Sequence, residues 1–148
     1  MPVLTEHLAT LRAQLAGQVD EHRRLLHGLD PEQARLGYAA LVAAAFVVAV
    51  ERRFREDKNV ADDATVIDFI ASVRARSDDS AHIVNPEVAE SIILTLLDRG
   101  SVDNIDGNTM FEHQIILLAA LVGQAQFEEP ELDTFMAEAA ALADQVLE

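Results

Sequence analysis

An all-α fold is what this sequence predicts, and three observations predict it. Apolar residues recur at helical spacing in segment after segment. No stretch alternates convincingly at period two, and no turn dipeptide sits between strand-like runs. Asp30-Pro31 and Asn85-Pro86-Glu87 each place a good N-cap residue before a proline suited to the first helical turn. The expected architecture is a single domain over residues 1–148, a bundle of about five or six helices with two largely buried central helices. Composition permits it. Half of the 148 residues are apolar, too many for a solvated coil even at a net charge of −15, and a chain of this length buries roughly two thirds of the surface its unfolded form exposes.

The first helix is expected over about Val3 to Leu29. In a heptad register its seam runs Leu4, Leu8, Leu11, Leu15, then Gln18 and His22, then Leu25 and Leu29, a leucine stripe with a polar interruption that could set register or oligomeric state. The alternative is a slight rotation that turns Val19 and Leu26 inward and leaves His22 at the solvent edge. As one rod this helix would be about 40 Å long at 1.5 Å per residue, longer than a compact domain of this size is wide, so part of it would project as an association element. Asp30-Pro31 closes it and opens the second helix.

The second helix contains Leu36 to Val50, fifteen residues without a charge. A bilayer span usually needs about twenty apolar residues. The run is also rich in alanine, so a central helix with neighbours on every side is expected, Ala39, Ala40, Ala43, Ala44 and Ala49 admitting close approach and Leu41, Phe46, Val47 and Val50 filling space. Arg52, Arg53 and Arg55 then suit a helix C-terminus, where cations meet the negative end of the dipole; the sharper alternative is a docking patch for an acidic partner.

A third helix is expected over about Asp63 to Arg76, with Val66, Ile67, Phe69, Ile70 and Val73 inward, and a polar loop from Ser77 to Asn85. A fourth begins at Asn85-Pro86-Glu87, buries Val88, Ile92, Ile93, Leu96 and Leu97, and stops at Gly100 in the left-handed conformation. After a loop to Asn108, a fifth helix carries the uninterrupted apolar run Ile115 to Val122 and is the second enclosed element. The last, beyond Pro130, turns Leu132, Phe135, Met136, Ala139, Leu142, Ala143 and Val146 to one face.

Several chemistries are excluded. There is no cysteine, hence no disulfide, thiolate nucleophile, zinc–thiolate site or iron–sulfur cluster. With 26 acidic against 11 basic side chains a phosphate-backbone binder is not expected. Asp103 to His113 suggests a calcium loop, but with Gly107 at the turn position the first and last ligand positions fall on Val102 and His113, where carboxylates are required. His7, His22, His27, His82 and His113 form no zinc-helix pair, no Glu-x-x-His lies on a helix, and Asp79 with His82 reads as a solvated loop pair. Glu112 and His113 are neighbours that point about a hundred degrees apart on a helix. Nucleophile-elbow, phosphate-loop and dinucleotide glycine motifs are missing. No cofactor, metal site or catalytic residue is expected, and the chain is not expected to be an enzyme.

The function expected is that of a protein-interaction or regulatory/adaptor domain, self-associating or bound to another protein. Its candidate association face is Leu4, Leu8, Leu11, Leu15, Gln18, His22 and Leu25. The alternative is a small-molecule binding module with an apolar pocket between the two central helices, lined by Tyr38, Phe46, Phe111 and His113; as plain core packing, these aromatic residues would simply fill space. Neither nucleic acid nor membrane is an expected partner. The N-terminal residues lack a basic region followed by an apolar core, so the cytoplasm is the expected location.

Overall fold

The computed structural model describes residues 5–147. Among them it has eight helices and one two-stranded hairpin, so the all-α expectation holds and the count of five to six is too low. In chain order these are α1 (Thr5–Leu15), α2 (Val19–His27), α3 (Pro31–Phe54), the strands β1 (Arg55–Glu56) and β2 (Asn59–Val60), α4 (Asp63–Arg74), α5 (Asp78–Ile83), α6 (Pro86–Leu96), α7 (Gly107–Ala125) and α8 (Glu129–Leu147). The chain divides into two compact units: the first takes in the chain up to Val48 and again from Val122, the second is Ala49–Leu121.

In the first unit, the single rod expected from Val3 to Leu29 is two helices folded on each other as a hairpin. The break is at Gly17, whose φ of 77° is strained for any residue with a Cβ. Its N–H donates to the Gln14 carbonyl at 3.1 Å and that of Gln18 to the Ala13 carbonyl at 2.9 Å, the paired bonds of a Schellman stop. The heptad stripe therefore does not continue in one line. Its N-terminal residues Val3 and Leu4 lie outside the described residues. α1 also packs on the start of α3 and on α8, burying His7, Thr10, Leu11 and Ala13.

α3 starts as expected, with the Asp30 carboxylate accepting from the N–H groups of Glu32 at 2.9 Å and Gln33 at 3.4 Å and with Pro31 in the first turn. Residues Ala34–Tyr38 form a π turn within it. By length and composition α3 could cross a bilayer: its most apolar window has a mean hydropathy of 1.7, and half of that window is buried inside the protein. Burial is not complete on every side. Leu41, Val42, Ala45, Phe46 and Val50 are sealed, whereas Ala39, Ala40, Ala43, Val47 and Val48 are half-buried and Leu36 is 57% exposed. α8 buries Leu132, Phe135, Met136, Ala139 and Ala143, but Val146, expected inward, is exposed where the helix nears its end.

In the second unit, α3 ends at Phe54 and the chain turns through a hairpin in which Arg55 pairs with Val60 and Glu56 with Asn59, a small sheet the sequence did not announce. Asp57 takes a positive φ of 55° in its turn. α4 packs on α5 and α6; it buries Val66, Phe69, Ile70 and Val73, while Ile67 stands exposed on the outer flank. Ser77 to Asn85 is not a loop. Ser77 caps α5 by accepting from the Ser80 N–H at 3.0 Å, and Arg74 holds the other end by donating to the carbonyls of Ala81 and Val84, both at 3.1 Å. α6 ends with Asp98, not Gly100, in the left-handed conformation, φ 64°. Gly100 is small for another reason: a Cβ there would stand 2.9 Å from the backbone nitrogen of Thr95. α7 is capped by Asp106 rather than Asn108, through bonds from the Thr109 N–H and hydroxyl at 2.9 Å each, and the backbone bond foremost holds the Asp106 carboxyl below its ordinary range.

Candidate functional site

The residues of the expected association face separate in the structure. Leu4 lies outside the described residues; Leu11 is in the core of the first unit; Leu8, Leu15, His22 and Leu25 are half-buried; Gln18 is exposed at the turn. The two helices of the hairpin are pinned by His22, whose Nδ1–H donates to the Thr10 carbonyl at 2.8 Å, while the Thr10 hydroxyl donates to the Glu6 carbonyl at 2.7 Å. Val19 and Leu26 do not turn inward as the rotated alternative required. They are 62% and 44% exposed, and no residue of α2 is buried.

The polar residue the sequence reasoning missed is His7. It occupies the inner face of α1 one turn before Leu11, and it is almost completely enclosed at 1% exposure. Its imidazole rests on Gly37 in the π turn and meets the Tyr38 ring edge-on at a centroid distance of 6.3 Å. Burial lowers the imidazole pKa below 6.5, against the smaller raising effect of the Glu6 carboxylate. Tyr38 is buried too, and its hydroxyl and the amide oxygen of Gln14 have no hydrogen-bond partner among the described residues. Burial pushes the Tyr38 phenol up to about 12. The signal was present in the i, i+3, i+4 spacing of His7, Thr10 and Leu11, but it competed with a stronger leucine stripe one position out of phase.

Of the residues expected around a pocket, Tyr38 and Phe46 belong to the first unit and Phe111 and His113 to the second. Phe46 is sealed in the core and Phe111 half-buried. His113 is a joint within the second unit. Its Nδ1–H donates to the Thr109 carbonyl at 2.8 Å and its Nε2 accepts the Asn85 N–H at 3.1 Å, which engages both ring nitrogens. Asn85 in turn caps α6. The arginine cluster after Val50 is likewise built into the second unit: Arg53 lies 5.8 Å and 5.4 Å from the ring centres of Phe54 and Phe69, and Arg55 pairs with Glu51 at 2.7 Å and reaches Asp98 at 3.2 Å. Among the described residues no three His, Asp or Glu side chains gather as a metal site.

Two surface features remain in the first unit. One is the uncovered side of α2. The other is a groove of about 330 Å³ between the α1–α2 turn and the α7–α8 turn, walled by Leu15, Val122, Phe127 and Leu132. No protein family, curated protein or solved structure matches this chain.

Proposed function

We propose that this protein acts through protein–protein contacts as a self-associating regulatory or adaptor domain, with α2 as the contact helix and a second copy as its first partner. The observation that carries the proposal is that α2 buries none of its residues within the chain while holding Val19 and Leu26 on the surface. Exposed apolar residues on one ordered helix face gain most when another helix covers them. Charge favours a second copy in particular. A net charge of −15 opposes self-association across most of the surface, but α2 balances Asp20 and Glu21 against Arg23 and Arg24, with His22 and His27 beside them. Two such helices packed antiparallel about a twofold axis bring opposite charges together. The face is small, so the association is weak and concentration-dependent.

This role involves no catalysis, nucleic acid or membrane, and it is exercised in the cytoplasm. Sedimentation velocity across a dilution series tests the main proposal. The wild-type chain is expected to pass from dimer to monomer on dilution, and the double variant Val19→Lys, Leu26→Lys to sediment as a monomer throughout with stability unchanged to within about 0.5 kcal/mol. A wild-type monomer at every concentration, with no protein retained on it in a pull-down, would overturn the proposal.

A further inference from the structure

We infer that the α1–α2 hairpin is an acid-released latch: it lifts off the first unit as one piece while α3 and α8 stay folded, and a proton taken up by His7 favours the open form. The hairpin is held by little. Over Thr5–His27 it buries four residues, His7, Thr10, Leu11 and Ala13, all of them on α1 and two of them polar, whereas α8 alone buries five apolar ones. Segments with few buried apolar contacts open before the rest of a fold does. The partly exposed ion pair of Arg12 with Asp133, at 2.7 Å, adds only modestly to the anchorage. The two helices stay together when they move, because the bond from His22 to the Thr10 carbonyl lies within the hairpin.

The closed contact also carries unmet hydrogen bonds. The amide oxygen of Gln14, on α1, and the hydroxyl of Tyr38, in the π turn on which α1 packs, are both buried with no partner among the described residues. Each such atom works against the closed form, since water satisfies it once the hairpin lifts. The π turn is itself a kind of interruption that recurs at functional sites.

His7 is the group that responds to acid. Its ring is enclosed at 1% exposure between Gly37 and the edge of Tyr38, so a charge on it in the closed form is cut off from water. The surroundings do not compensate for that. Glu6, on its own helix, is the one charge that acts on the ring, and its effect is smaller than that of burial. α3 brings the Tyr38 phenol, which is uncharged in this range, and Arg35, which is exposed. On α8 Asp133 is engaged by Arg12 and Glu131 by the Glu128 N–H, and α2 brings His22, whose Nδ1–H already donates to Thr10. In the open form the imidazole returns to water and to its ordinary pKa. Below pH 6.5 protons therefore favour opening.

The test is native-state hydrogen exchange of the full chain between pH 7.5 and 5, read amide by amide by NMR and corrected for the intrinsic rate at each pH. The amides of Leu11 and Ala13 are expected to exchange through an opening that leaves those of Val42 and Phe135 protected. The opening constant is expected to rise below pH 6.5 by up to tenfold per pH unit, the slope of one proton. His7→Gln is expected to lose that rise. Tyr38→Phe keeps the ring and removes the orphaned hydroxyl, and is expected to lower the opening constant about fivefold at every pH with the slope unchanged. The inference is overturned if the amides of α1 and α8 share one opening constant, if the constant does not change between pH 6.5 and 5, or if His7→Gln keeps the slope. Should His7→Gln fail to fold, the wild-type slope and Tyr38→Phe decide. Repeating the measurement in the Val19→Lys, Leu26→Lys variant, which lacks the apolar contacts of α2, keeps the outcome separate from dimerisation.

Discussion

Gly37 lies directly against the imidazole of His7: a Cβ built on Gly37 would stand 2.5 Å from Cε1 and 2.7 Å from Nδ1 of that ring. The contact joins the inner face of α1 to the π turn of α3, and it explains why the first turns of an otherwise alanine-rich helix need a residue with no side chain. The histidine is enclosed on all sides, so its ring has no free direction in which to yield.

Gly37→Ala is accordingly expected to destabilise the protein by about 1–3 kcal/mol, the range for overpacking a filled interior. Urea unfolding measures it. His7→Ala opens space at the same point, so the double variant is expected to be more stable than the sum of the two single losses implies. Additive losses would show that the two residues are not coupled.

His7 also predicts a pH dependence. Its folded pKa is lowered below 6.5, so at pH values between that lowered value and 6.5 the unfolded chain binds the proton more readily than the folded one. Its contribution is complete above pH 6.5 and is lost as pH falls through 6.5 towards the folded value. Unfolding free energies measured over this window for the wild type and for His7→Gln are expected to converge at the acid end. Parallel curves would show that His7 does not titrate between the two states.

His113→Phe keeps a ring of similar size but removes both bonds, to the Thr109 carbonyl and from the Asn85 N–H. The expected cost is about 1–2 kcal/mol, because the Asn85 N–H loses its acceptor and the side-chain bond to the Thr109 carbonyl goes with it. Faster hydrogen exchange at the Asn85 amide and through the first turn of α6 is the local signature, and unchanged exchange there would mean that the histidine does not hold the cap.

Where a helix begins was largely legible in the sequence, because a cap is chemistry between neighbours: Asp30 with Pro31 and Asn85 with Pro86 act within a few residues. Helix ends were less so. Three segments stop at residues with positive φ, Gly17, Asp98 and Gln126, and only one is a glycine. At Asp98 the local cost of that conformation accompanies an ion pair with Arg55, forty-three residues away, which periodicity does not reveal. The Ser77–Asn85 segment reads as a loop in the sequence because α5 is too short to show an apolar stripe, and the donor to its Ala81 and Val84 carbonyls is Arg74 of the preceding helix.

By itself the sequence determined the class of the fold, the stretches that supply the core and the absence of thiol chemistry, since these depend on composition and on spacings within one segment. Only the tertiary structure decided that the leucine stripe folds back at Gly17, that His7 goes inside while Val19 and Leu26 stay out, and that Gly123 lines an open groove. The physical reason is that helical periodicity says which side of a segment is apolar but not which neighbour arrives to cover it. A ring pressed on a glycine or a wall left vacant exists only between segments that the chain has brought together.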